Sequence, residues 1–231
     1  MVQLSPDTED RGFGYHYTNT TVKGFSMNHM SGPGCSNEGD VFFTATTGPI
    51  MTQMQDFQSP YSHKQESASP GYYQVRLLQW DINAELSATD RTGIARFTFP
   101  AGKAANILLP LSHTLNDVNA ASVHVVGDRS VEGYVENHAF CGSKETYKIY
   151  FVMTFSQPFA NFGTWTGNHY GGPGKIAESK PDRKKCNCLY GDGGVGGVGG
   201  ASGVGGDWGS GGVGGAFVGV FMSPLPKPLP L

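Results

Sequence analysis

The stretch from Gly24 to Cys35 reads Gly-Phe-Ser-Met-Asn-His-Met-Ser-Gly-Pro-Gly-Cys, with His29 and Asn28 set among serines, glycines and a proline. Such a segment reads as neither strand nor helix, and its glycines permit positive φ or a close approach of backbone to a ligand. Backbone N–H groups freed by the turn could donate to a sugar hydroxyl, and His29 could donate or accept according to its tautomer. The plainer alternative is a tight structural loop in which His29 caps a buried carbonyl. A second candidate runs from Ser62 to Tyr73, where His63 and Glu66 stand three apart. Pro70 and Gly71 argue against a helix there. Glu66 as a general acid or base would need a second carboxylate opposite it, and a loop-anchoring role is the alternative.

Other chemistry is missing from the motifs. The chain has no Gly-x-Ser-x-Gly elbow, no Gly-x4-Gly-Lys-Ser/Thr loop and no His-Glu-x-x-His, the patterns that carry a nucleophile, a nucleotide phosphate and a protease zinc. The four cysteines, Cys35, Cys141, Cys186 and Cys188, are too scattered for a disulfide scaffold. Cys186 and Cys188 lack a second pair at zinc spacing. An Asn-Thr-Thr sequon at Asn19 is usable only if the chain meets a glycosylation pathway.

The elements that must position these loops show a two-residue period. Ile82, Ala84, Leu86 and Ala88 alternate with polar neighbours, and Tyr147, Ile149, Phe151, Met153 and Phe155 line one face of a nine-residue run. Val41 to Thr46, Tyr72 to Trp80, Ala95 to Phe99, Ala105 to Leu109, Ser122 to Val126 and Ser130 to Glu136 read as further strands. Asp90-Arg91-Thr92-Gly93 reads as a hairpin turn. No stretch shows the 3.6-residue period of an amphipathic helix. The pattern predicts an all-β fold, an antiparallel β-sandwich over residues 1–165. A polar linker or loop follows at 166–190. Residues 191–231 form a Gly-rich and Pro-rich tail, predicted disordered, with one strand at 216–221.

Composition narrows the function. The chain has 231 residues and a formal charge of −3, without the clustered basic surface that nucleic-acid binding needs. Of its 34 glycines, 15 fall between Gly191 and Ala216, without the third-residue repeat of collagen. No apolar run approaches the roughly 20 residues of a membrane helix. Met1-Val-Gln-Leu-Ser-Pro lacks the charged and apolar regions of a secretory signal.

Met1-Val-Gln-Leu-Ser-Pro-Asp-Thr8, the Gly24–Cys35 loop with Gly39-Asp40, His63-Lys-Gln-Glu66 and Ala68-Ser-Pro-Gly-Tyr-Tyr73 together resemble the N-terminal domain of glycoside hydrolase family 92. Glu85–Gly93, Arg96–Pro100, Phe140-Cys-Gly142 and Tyr147–Val152 continue the likeness in order. The resemblance implies a supersandwich-like β-domain of a calcium-dependent, inverting α-mannosidase, whose catalytic carboxylates and most calcium ligands lie in a separate (α/α)6-barrel. The expectation is therefore a non-catalytic domain that supports glycan binding and packs on a barrel absent from this chain. Its partners would be an α-mannose-containing glycan and that barrel. No catalytic or metal-binding residue is expected in the chain, and calcium would belong to the intact enzyme. The resemblance places His29, Gly32, Pro33 and Gly34 at the rim of the mannose site, with Tyr17 or Trp80 as sugar-stacking surfaces. Intact relatives would be extracellular or periplasmic. Family members carry several dozen residues ahead of the block at Met1, so a fragment truncated at both ends is expected. The alternatives are a free-standing carbohydrate-binding module and a structural Gly-rich protein.

Overall fold

The computed structural model describes residues 2–9, 14–30, 35–51, 53–138, 141, 143, 145–166, 169–170, 176–179 and 218–224. Within them the strands pair antiparallel throughout. β1 (Ser5–Asp7) joins β3 (Gly24–Ser26), and β2 (Thr21–Val22) joins β5 (Ser59–Pro60). A five-stranded sheet runs β15 (His169–Tyr170), β14 (Phe159–Thr166), β17 (Val218–Pro224), β10 (Ala105–Pro110), β4 (Thr44–Thr47). A four-stranded meander takes β6 (Glu66–Ser69), β7 (Tyr72–Leu77), β8 (Ile82–Ala88) and β9 (Gly93–Thr98) in order. The last sheet runs β13 (Thr146–Thr154), β12 (Ser130–His138), β11 (Asp117–Val126), β16 (Ile176–Ser179). A four-residue helix, Met54–Phe57, and a 3-10 turn, His63–Gln65, interrupt the strands.

The alternation seen in sequence is what buries the core. Val75 and Leu77 on β7, Ile82, Ala84 and Leu86 on β8, Leu108 and Leu109 on β10, and Val123, Val131 and Val135 on β11 and β12 all join one apolar cluster. Along β7, β8, β11 and β12 their neighbours point the other way, because successive side chains of a strand alternate, whereas β10 is buried on both faces from Asn106 to Pro110. Gly133 on β12 is needed where it stands. A Cβ there would lie 2.0 Å from the Ser122 carbonyl oxygen and 3.0 Å from Phe151 Cζ, so the bare backbone leaves room for the Phe151 ring.

Several boundaries differ from the sequence expectation. The strand read from Val41 begins at Thr44, because Val41 adopts φ +55 and breaks the extended run. The run Tyr72 to Trp80 ends at Leu77 and turns through residues 78–81, with Asp81 at φ +58. Among the described residues three strands lie beyond residue 165. Ile176–Ser179 pairs with β11, within a stretch read as linker, and the last strand, read at 216–221, spans Val218–Pro224 between β10 and β14. An edge strand needs hydrogen bonds along one side only, which a charged, weakly patterned segment can supply. The remaining tail, expected to be disordered, lies outside the described residues. No described helix is long and apolar enough to cross a membrane.

Candidate functional site

β1 and β3 pair so that Asp7 stands opposite Gly24, and the loop that leaves β3 brings His29 back onto Asp7. His29 Nε2 lies 2.7 Å from Asp7 Oδ1 and 3.0 Å from Ser26 Oγ, while Nδ1 lies 3.0 Å from the Gln3 carbonyl oxygen. The His29 side chain is 4% exposed and that of Asp7 0%. Burial opposes a charge on the ring, yet the Asp7 carboxylate and the Gln3 carbonyl outweigh it and raise the His29 pKa. With acceptors at both nitrogens, the ring is held as an imidazolium against a carboxylate.

The loop at Ser62 builds a second cluster. Ser62 Oγ accepts from the Lys64 N–H and starts the 3-10 turn. That turn sets His63 Nδ1 2.5 Å from Glu66 Oε2 and His63 Nε2 2.7 Å from the Tyr17 carbonyl oxygen. The Tyr73 hydroxyl donates to Glu66 Oε1 at 2.6 Å and the Tyr15 hydroxyl to Oε2 at 3.2 Å. Desolvation and then hydrogen bonding to Glu66 push the Tyr73 phenol well above its usual range. Hydrogen bonding to Glu66 raises the pKa of His63. The Tyr17 ring lies flat on the His63 imidazole, with centroids 4.0 Å apart and planes 10° apart. Its exposure is 66%.

One short segment joins the two clusters. Gly14 packs on Asp7 and His29, Tyr15 reaches Glu66 and Tyr17 stacks on His63. Gly14 has φ +84, and a Cβ would fall 2.6 Å from both Asp7 Oδ1 and His29 Nε2. Only glycine meets both demands.

A third polar cluster ties the loop after β3 to β12 and β13. Asn28 Nδ2 donates to Asp40 Oδ2 at 2.9 Å, Asn137 Nδ2 to Oδ1 at 2.6 Å and the Tyr147 hydroxyl to Oδ2 at 3.2 Å. The Asp40 N–H returns a bond to Asn28 Oδ1 at 2.7 Å. Burial pushes the Asp40 carboxyl up to about 6, against the pull of these donors. Glu38, Gly39 and Val41 all adopt positive φ, at 61°, 74° and 55°. A β-branched residue in that region is strained, and between these left-handed positions Asp40 is fully buried. The Cys35–Cys141 disulfide closes the same junction.

The predicted site residues thus divide. His29 is placed as the loop anchor that caps the Gln3 carbonyl; with both nitrogens engaged and the ring buried, it offers no group to a ligand. Trp80 is a correction. It is 6% exposed and its indole N–H donates to the Phe57 carbonyl at 2.9 Å, so it is a core residue with no stacking face. Tyr17 presents its ring to solvent. Gly32, Pro33 and Gly34 lie outside the described residues. Glu66 is an anchor, bonded by two phenols and an imidazole. Asp7, Gly14 and Asp40 were missed, because a three-residue strand and single loop positions leave no period in the sequence. Among the described residues no three His, Cys, Asp or Glu side chains stand together to hold a metal ion.

The model of the glycosyl hydrolase family 92 N-terminal domain matches residues 1–197. A family GH92 alpha-mannosidase from Bacteroides thetaiotaomicron, solved with mannoimidazole, is similar with TM-score 0.68 and 25% identity, over 96% of this chain and 28% of that one. An inverting family GH92 mannosidase from Bacteroides thetaiotaomicron VPI-5482 shares the fold with TM-score 0.71 at 19% identity, over 98% of this chain and 26% of that one. The chain therefore spans little more than a quarter of the length of these mannosidases. No curated protein matches it.

Proposed function

The chain belongs to the glycosyl hydrolase family 92 N-terminal domain family, and from that premise we propose that it is the non-catalytic β-domain of an α-mannosidase. In this reading it lends a rim to a mannose site and packs on a catalytic barrel supplied by the longer enzyme. The observation that carries the reading is the union of both loops through Gly14–Tyr17, which leaves one broad aromatic face, that of Tyr17, backed by His63 and open to solvent. An aromatic face over the apolar side of a sugar ring gains contact area and excludes water. Gly32 and Gly34 would add backbone donors, with Pro33 fixing the chain between them, and His29 would hold their loop in place through Asp7.

Hydrolysis with inversion needs an acid on the leaving oxygen and a carboxylate activating water, roughly 6.5–9.5 Å apart. Glu66 and Asp40 are both engaged in internal networks, so this reading assigns neither role within the chain. Calcium is proposed for the longer enzyme, and no step is assigned to it here. The Cys35–Cys141 bridge supports an oxidising compartment, extracellular or periplasmic.

Two measurements test the reading. Methyl α-mannoside titrated into the chain and followed by NMR should give weak, saturable binding, weakened about tenfold by Tyr17→Ala, since stacking on one ring is worth roughly 1 kcal/mol or more. Binding indifferent to Tyr17→Ala would overturn the rim. Incubation of the chain with an aryl α-mannoside and calcium, and again with chelator, should give no turnover. Calcium-dependent turnover would mean that the reacting carboxylates lie among the nineteen acidic residues of this chain.

A further inference from the structure

Strand β13 is nine residues long, and among the described residues only β12 bonds it, leaving its other edge open. Its register with β12 runs unbroken from Thr146 opposite His138 to Thr154 opposite Ser130. A long, regular edge is a template for another strand unless a proline, a bulge or a free charge guards it. β13 has no proline and no bulge. Its one charge, Lys148, is held by Glu136 Oε2 at 2.9 Å and lies 4.5 Å from the centre of the Tyr134 ring. Tyr150 and Val152 stand 74% and 71% exposed on the outer face. On the inner face Tyr147, Ile149, Phe151 and Met153 are only half-buried, whereas Val131 and Val135 on the neighbouring strand are 0% exposed.

We propose that this edge docks a second copy of the chain, β13 pairing antiparallel with β13 across a two-fold axis through Tyr150. The strand is complementary to itself about that residue. Thr146 would face the partner's Thr154, Lys148 the partner's Val152, and Ile149 the partner's Phe151. A two-fold axis normal to the sheet keeps each face with its like. The half-buried apolar row then continues across the seam, and lysine never meets lysine, an arrangement that like charges directly opposite would destabilise. The two four-stranded sheets become one of eight strands. This pairing does not depend on the reading of the mannose rim.

The test places a charge on the axis of the full-length chain. Size-exclusion chromatography with light scattering should show a dimer that dissociates on dilution. Tyr150→Lys alone and Tyr150→Asp alone should each weaken association at least about tenfold, because residue 150 then faces its own charge. An equimolar mixture of the two variants should restore the dimer as a one-to-one species. Tyr150 is exposed, so circular dichroism should find both variants folded. A chain that stays monomeric at every concentration overturns the proposal, with the edge left to another partner. So does a dimer that survives both single variants, or a mixture that does not re-associate.

Discussion

Gly14 carries more of the structure than its size suggests. It holds a left-handed backbone while the Asp7–His29 pair closes against its α-carbon. Gly14→Ala would add backbone strain and press a methyl group into a buried charge pair. The two costs together are about 2–4 kcal/mol. Urea unfolding should show a lower midpoint with an unchanged slope, and an unchanged midpoint would mean that the loop is not coupled to the fold. The same residues explain what the sequence could and could not convey. A histidine that caps a carbonyl was legible as one of two readings of His29, because the residue types of a Gly-rich loop allow it. That the carbonyl is Gln3, and that Asp7 neutralises the ring, depends on a pairing between β1 and β3 with no local signature. Trp80 in an apolar run is ambiguous between core and platform until its N–H partner is known.

Among the elements, the β12–β13 hairpin is fastened to the loop after β3 in two ways. Asp40 bridges Asn28 to Asn137 and Tyr147, and the Cys35–Cys141 disulfide spans 106 residues of sequence. A cross-link closing a loop of that length removes chain entropy from the unfolded state worth about 4–5 kcal/mol. Thermal unfolding in a thiol reductant should fall well below the oxidised midpoint, and Cys35→Ser should reproduce the reduced value without reductant. Equal midpoints in all three cases would show that the bridge does not constrain the unfolded chain. Sequence period found the hairpin strands and β8 plainly, since an apolar residue at every second position leaves little choice of face. It misjudged the start of β4, where the left-handed turn at Val41 interrupts a run of strand-forming residues. It also passed over β16, whose role is to close an edge through backbone bonds. The disulfide was not legible, as its two cysteines are brought together only by the fold.

For the whole molecule, the perturbed groups that are sheltered from solvent lean one way. Burial raises Asp40 to about 6 and also raises Glu38, and contact with Asp7 raises His29 in spite of burial. Hydrogen bonding to Glu66 raises His63 as well. Glu85 runs the other way, lowered to about 2 by its bonds with Arg96 and Tyr72, so its contribution is already complete above its unfolded pKa of 4.5 and does not change between pH 5 and pH 8. A raised pKa means that the folded chain holds its proton more tightly than the unfolded one. The stability each such group contributes is complete below its unfolded pKa and is lost as pH rises through its folded pKa. For Asp40 that window opens near 3.8 and closes near 6, and a shift of this size corresponds to about 3 kcal/mol. His29 extends the loss upward from 6.5. The chain should therefore unfold at a higher temperature at pH 5 than at pH 8. Asp40→Asn should flatten the slope below pH 6 and leave only the share of Glu38, at some cost in overall stability, because an amide cannot accept from all three donors. His29 would still drive the part above it. A midpoint that rises from pH 5 to pH 8 would show that the exposed pairs, rather than the buried Asp40 and His29, govern the stability of the fold.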